Sequence, residues 1–152
     1  MLTGRRAGPG GGPGGFYPQA NQQGYEQVYP QGGPVGNNLS QKQNEFLWRL
    51  SYFHYFMQYL GLPIRFHSYY RGEDEQNRLW GEGKTKARFG ESSHNYGLGV
   101  DYHFEQGGWN VPRAYWDTGD QVARYVGLES GLGYDDANHI QMPGWKLWKP
   151  VI

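Results

Sequence analysis

Between residues 46 and 60 the apolar side chains fall into a helical rhythm, with Phe46, Leu47, Leu50, Phe53, Phe56, Met57 and Leu60 on one stripe. The pattern predicts a helix that opens at Ser40, an N-cap with Gln43 three positions on, and stops at Gly61 and Pro63. The rhythm then changes to alternation. Residues 63–69 place Ile64, Phe66 and Ser68 on one face and Arg65 and His67 on the other, which reads as a strand. Residues 73–81 read as a short helix carrying Leu79 and Trp80, residues 84–93 as a polar loop, and residues 98–104 as a second strand. A third helix is expected over 118–128, capped by Asp117 or Thr118, then a turn at 131–136 and a short strand at 139–142. No βαβ rhythm runs through this order. The fold class it predicts is α+β, with a small, mainly antiparallel sheet packed with helices.

Ahead of residue 39 the pattern disappears. Residues 1–38 hold 11 of the 25 glycines and 5 of the 9 prolines, with Gln, Asn and Tyr between them. Such a segment cannot bury enough apolar surface to offset its ordering entropy, so it reads as a flexible arm ahead of one domain at 39–152. It is either a plain linker or an anchor that orders on a larger assembly through Tyr17, Tyr25 and Tyr29. A chain of 152 residues has room for a single core. Only 18% of it is charged, while 13 Tyr, 6 Trp and 7 Phe are present, so core and cleft must be built largely from rings.

Charge removes several function classes. The 14 basic and 14 acidic side chains cancel to a formal net charge of +0 with no basic stripe, which argues against nucleic acid as a partner. No apolar run approaches the roughly 20 residues that span a bilayer. Arg5 and Arg6 have no apolar stretch behind them, so no signal peptide is expected. Cysteine is absent, which leaves histidines and carboxylates as the strong ligands for any metal.

Five histidines are available. His54 lies among aromatics on the first helix and reads as structural. His67 shares a strand face with Arg65 and reads as a surface residue or a neighbour of a site. His94 stands apart through the run Ser92-Ser93-His94-Asn95-Tyr96-Gly97-Leu98-Gly99-Val100-Asp101, because a turn at 95–97 can fold His94 back towards Asp101. Imidazole with carboxylate is a sound donor pair for zinc, and Gly97 and Gly99 leave backbone room beside it. Asp101, between Val100 and Tyr102, is costly to bury without a metal or an arginine as partner. A third ligand is expected from Asp136-Ala137-Asn138-His139, in which His139 completes the set and Asp136 can take a proton from water. His103 is the rival ligand, since it shares a strand face with Asp101, and is preferred as cleft wall. Glu105 and Asp135 are the rival bases.

Together these motifs resemble the family of zinc D-alanyl-D-alanine carboxypeptidases and L-alanyl-D-glutamate endopeptidases, which includes many phage endolysins. The family's Ser-x-His-x-x-Gly-x-Ala-x-Asp is similar to residues 92–101, and its acidic-x-x-His to residues 136–139. Its Ser-x-Tyr-Arg, followed by a Gln, is similar to Ser68-Tyr69-Tyr70-Arg71 and Gln76. The resemblance covers residues 40–145. It implies a Hedgehog/DD-peptidase-like fold, with zinc (Zn2+) held by His94, Asp101 and His139. It further implies Asp136 as catalytic base, Arg71 as a substrate or oxyanion contact, and Ser68, Gln76, Ser92 and Tyr96 as substrate-binding residues. The activity implied is hydrolysis of an amide bond in the peptide stem of bacterial peptidoglycan. The wording of residues 95–98 is closer to L-alanyl-D-glutamate endopeptidases of phage lysis or cell entry than to the D-alanyl-D-alanine carboxypeptidases. A virion-attached structural or wall-binding module with the same fold is the alternative class. By the same resemblance the chain belongs in the host cytoplasm before lysis or on the virion, where the arm would meet virion proteins. Two departures stand out. Gly99 replaces the usual Ala, a mild change, and Ile140 and Gln141 follow His139 where an aromatic residue and Glu are common, which bears on how that ring is held.

Overall fold

The computed structural model describes residues 38–148. Most of the arm, with its three tyrosines, lies outside the described residues.

The helical stripe folds as α1, Leu39–Tyr59. Its N-cap is Asn38, two residues ahead of the expected Ser40. The Asn38 side chain accepts from the Gln41 N–H at 2.9 Å, and the Gln41 side chain accepts in return from the Asn38 N–H at 3.3 Å. This reciprocal pair satisfies two of the helix's orphan donors. Gln43 instead reaches across the fold. Its side-chain amide donates to the Tyr96 carbonyl at 2.7 Å, tying α1 to the turn that carries His94.

Four strands form among the described residues: β1 (Ile64–His67) and β2 (Gly99–Phe104) at expected segments, β3 (Glu129–Gly131), an unexpected strand, and β4 (Asp136–Gln141). They form one antiparallel sheet in the order β1-β2-β4-β3. With α2 (Glu73–Gly81) and α3 (Arg113–Tyr125), the architecture is α+β. On β2, Val100, Tyr102 and Phe104 are buried, whereas Asp101 and His103 alternate to the opposite face. The buried face packs against Phe53, Phe56 and Met57 of α1 and Val122 and Ala123 of α3. Each such large side chain contributes about 1.5–3 kcal/mol when buried, so the sheet is held firmly by one face. The other face carries the polar residues. Among the described residues no helix is long and apolar enough to cross a membrane.

Three expected boundaries move. α3 starts at Arg113 rather than Thr118, because the two residues read as caps are used inside the helix. Asp117 pairs with Arg113 at 3.1 Å, and the Thr118 hydroxyl donates back to the Ala114 carbonyl at 2.9 Å. β3 occupies residues 129–131, between the expected helix end at 128 and the start of the expected turn, and β4 starts at Asp136 rather than His139. Ser68 leaves β1 with a positive φ of 52°, so it does not share the face of Ile64 and Phe66 but turns into the cleft described below.

Gly119 and Tyr102 illustrate how tightly α3 meets the sheet. A Cβ at Gly119 would overlap the Tyr102 hydroxyl, which is itself buried without a hydrogen-bond partner. Tyr102→Phe is therefore expected to be neutral or stabilising, since it removes an unsatisfied buried group. Gly119→Ala is expected to cost about 1–3 kcal/mol through overpacking, and less in the Tyr102→Phe background. Urea unfolding of the two single variants and the double variant reads both effects.

Candidate metal centre

Sheet register brings the chemistry together. His67 pairs with Asp101 across β1 and β2, and Asp101 pairs with His139 across β2 and β4. One rung of the sheet thus lines up His67, Asp101 and His139 on the face away from the core. His94 arrives from a 3-10 turn, Ser93–Tyr96, that leads into β2. The turn is capped by Ser92, whose hydroxyl accepts from the His94 N–H at 3.3 Å, and it closes at Gly97 with a left-handed φ of 66°.

Three side chains then converge. His94 Nε2 lies 3.3 Å from Asp101 Oδ1, His139 Nδ1 lies 3.2 Å from the same oxygen, and ligand atoms of all three residues fall within 4.8 Å of one another. His94, Asp101 and His139 could together hold a metal ion. His94 Nδ1 sits 3.1 Å from the Tyr69 carbonyl, a contact in which only a protonated Nδ1 can donate. In the neutral, metal-binding form of the ring that bond leaves the Nε2 lone pair facing Asp101. On the other ring, Nε2 of His139 faces Gln141 Oε1 at 2.8 Å and Ser93 Oγ at 3.0 Å, leaving Nδ1 for the shared point. Gln141 thus supplies the support that the departure after His139 had left open.

Charge balance follows from the same contacts. Burial would raise the Asp101 carboxyl, but hydrogen bonds from His139 and His94 overcome it and hold the group well below the usual carboxylate range. Burial likewise disfavours a charged His139, yet its bonds to Asp101 and Gln141 and the negative charge of Asp101 raise it above the ordinary histidine value. Arg71 stands on the far side of Asp101, its guanidinium 3.8 Å from Oδ2. Its place is fixed by Gln76, whose Oε1 accepts from Arg71 at 3.1 Å while its amide donates to the Ala87 carbonyl at 2.7 Å. Asn95 joins the same network, donating to the Arg71 carbonyl at 2.9 Å and to Gln76 at 3.2 Å.

Arg71, His94, Asp101 and His139 line a cleft of about 840 Å³ that also receives Ser68, Ser92, Tyr134, Asp135 and Asp136. Asp136 is exposed at the cleft wall, but the surrounding protein still raises its carboxyl, with Asp101 pushing the same way and His139 pulling it down. Gln76 is fully buried and spent on Arg71, Asn95 and Ala87, so it acts by positioning Arg71. The Tyr96 hydroxyl donates to the Gly90 carbonyl at 2.8 Å and its ring packs on Trp145, so it braces the loop. His103 lies apart from the triad, its ring packed between His67 and Trp109. Glu105 faces Arg65 at 4.0 Å, outside the cleft lining.

Ser93, Asn95, Gln141 and Glu129 join the site although no sequence motif assigns them a role there. Ser93 and Asn95 sit inside the 92–101 run and Gln141 lies on the same strand face as His139, so their spacing was the available signal. Gly99 sits in closer quarters than the expected mild change allows. A Cβ there would overlap Ser93 Oγ and come within 3.0 Å of His139 Cε1, so alanine is not a mild change in this chain. Gly99→Ala is expected to weaken metal affinity by about tenfold, the size of a disturbed supporting contact. Adding Ser93→Gly should recover most of the loss, read by competition with a chromophoric chelator. No family model matches the chain, and no curated protein matches it.

Proposed function

We propose that this chain is a zinc-dependent peptidase that hydrolyses an amide bond in the peptide stem of bacterial peptidoglycan, as an L-alanyl-D-glutamate endopeptidase of the phage type. The observation that carries the reading is the His94, Asp101 and His139 cluster in a cleft that also holds a carboxylate and a guanidinium. Two imidazoles and a carboxylate, with no thiolate, suit a zinc ion that keeps one position open. Bond lengths near 2.05 Å at tetrahedral angles separate ligand atoms by about 3.3 Å. The two separations to Asp101, 3.3 and 3.2 Å, fit that spacing.

Zinc, when bound, supplies Lewis acidity and lowers the pKa of water towards about 7. The chain's own residues supply the rest. Asp136 holds a carboxylate in the cleft with its pKa raised, which suits a group that takes a proton and returns it to a leaving amine. Arg71 Nε is buried without a hydrogen-bond partner, and such a donor is costly to leave unmade. A substrate carboxylate or a developing oxyanion would satisfy it, and the D-glutamate of the stem offers a carboxylate beside the cut.

Purified walls digested with and without chelator, followed by mass spectrometry of the fragments, test the proposal. New amino termini on D-glutamate are the expected result. Release of free D-alanine would mean the carboxypeptidase instead. A zinc-loaded chain that binds wall and makes no new ends would overturn the peptidase reading in favour of a wall-binding module.

A further inference from the structure

The contacts behind His139 continue past Gln141 to a residue with no place in the proposed chemistry. Gln141 Nε2 donates to Glu129 Oε1 at 2.7 Å, and the two residues are register partners across β3 and β4. A carboxylate only accepts, so the Gln141 amide must turn its NH2 group towards Glu129. Its carbonyl oxygen then faces His139 Nε2 at 2.8 Å. That oxygen also only accepts, so the proton on the ring must sit at Nε2. In the neutral ring, the form that binds a metal, the lone pair then lies at Nδ1, which points at Asp101 Oδ1 from 3.2 Å. Two electron-rich atoms at that separation repel, so either a second proton on Nδ1 donates to Asp101, as in the metal-free chain, or a metal ion takes that proton's place against both.

We infer that Glu129 is a positioning residue for the metal: through Gln141 it fixes the His139 tautomer that presents Nδ1 as ligand. The inference rests on the metal reading of the site and not on the bond that is cut. Sheet pairing makes the device rigid, because Glu129 and Gln141 occupy one rung of the β3–β4 ladder. It also explains how a glutamine after His139 supports the ring: alone, an amide could present either end, and Glu129 selects the oxygen.

Zinc affinity of the full chain is the test, measured by chelator competition. Glu129→Gln removes the obligate acceptor, lets the Gln141 amide turn over, and should weaken zinc about 10- to 100-fold, as loss of supporting partners does. Exchanging the two side chains in Glu129→Gln/Gln141→Glu restores an acceptor facing His139 and a donor behind it, and should recover affinity to within a few-fold. In the zinc-loaded wild type, ¹⁵N shifts should show His139 protonated at Nε2 and metallated at Nδ1. A wild-type chain with no zinc affinity overturns the metal reading and this inference together. If the wild type binds zinc but Glu129→Gln binds equally tightly, or if Nε2 carries the metal, this inference alone is overturned. A single variant that is weak only because it misfolds is separated by the exchange variant, whose recovery depends on the pairing.

Discussion

Asp101→Asn is expected to leave a chain that holds less than a tenth of its zinc and shows no turnover above background on peptidoglycan. Asp101 Oδ1 is the atom both histidines face, and asparagine offers no charge to draw a cation there. The loss reaches folding as well. Arg71 is 9% exposed, and Asp101 is its counter-charge in the cleft, so the substitution leaves a guanidinium with weaker compensation. Removing one partner of a buried pair costs about 3 kcal/mol at the lower end of such measurements. Metal analysis, a wall-digestion assay and urea melts of the chelated protein read these effects separately.

The pH dependence of the metal-free protein carries the same signature. Asp101 has a folded value below its unfolded one, so its contribution is present above about pH 4 and fades as pH falls towards the lower folded value. His139 has a folded value above its unfolded one, so its contribution is complete below about pH 6.5 and fades as pH rises through the folded value. Stability from this pair should peak between those limits. Asp101→Asn should therefore lose more at pH 5.5 than at pH 9. Zinc competes with the proton on His139, so wild-type affinity should rise with pH over the same upper range.

What could be read in the sequence follows from how locally each contact is made. α1, α2, the strand through Asp101 and the ligand turn rest on periodicity and turn chemistry within a few residues, and the α+β class follows from their order. His94 and Asp101 lie seven positions apart in one turn-to-strand unit, so their meeting is nearly a local property. The early cap at Asn38 is local too, but Ser40 with Gln43 offered the same pattern two residues on, and only the packing of Gln43 on Tyr96 separates them. β3 could not be read because its three residues have no alternation of their own and exist through pairing with β4. The Gly99 contact with Ser93 is a matter of depth, not of pattern. Glu129 belongs to the same kind: its tie to Gln141 spans 12 positions and depends on register.

Asp136→Asn is expected to keep zinc at wild-type stoichiometry and lower kcat by about 10²–10⁴, the usual contribution of a positioned general base. Strict alternation along β4 would set Asp136 and His139 on opposite faces, yet both line the cleft. The ladder explains this: Ser130 pairs with Ile140, but Gly131 pairs with Asp136, so β4 is irregular across the residues between. Gly131 makes that approach possible, since a Cβ there would overlap the Asp136 backbone carbonyl. Gly131→Ala should consequently displace Asp136, lowering kcat while zinc content stays unchanged. In the metal-free chain the Asp136 carboxyl should titrate above the ordinary aspartate value, because lost solvation at the cleft wall raises it, and in the zinc-loaded enzyme Asp136→Asn should abolish the acid limb of kcat/KM. Asp135, Glu75 and Glu91 line the same cleft and are the carboxylates able to replace it. Full turnover in Asp136→Asn, with the limb retained, would assign the proton to one of them.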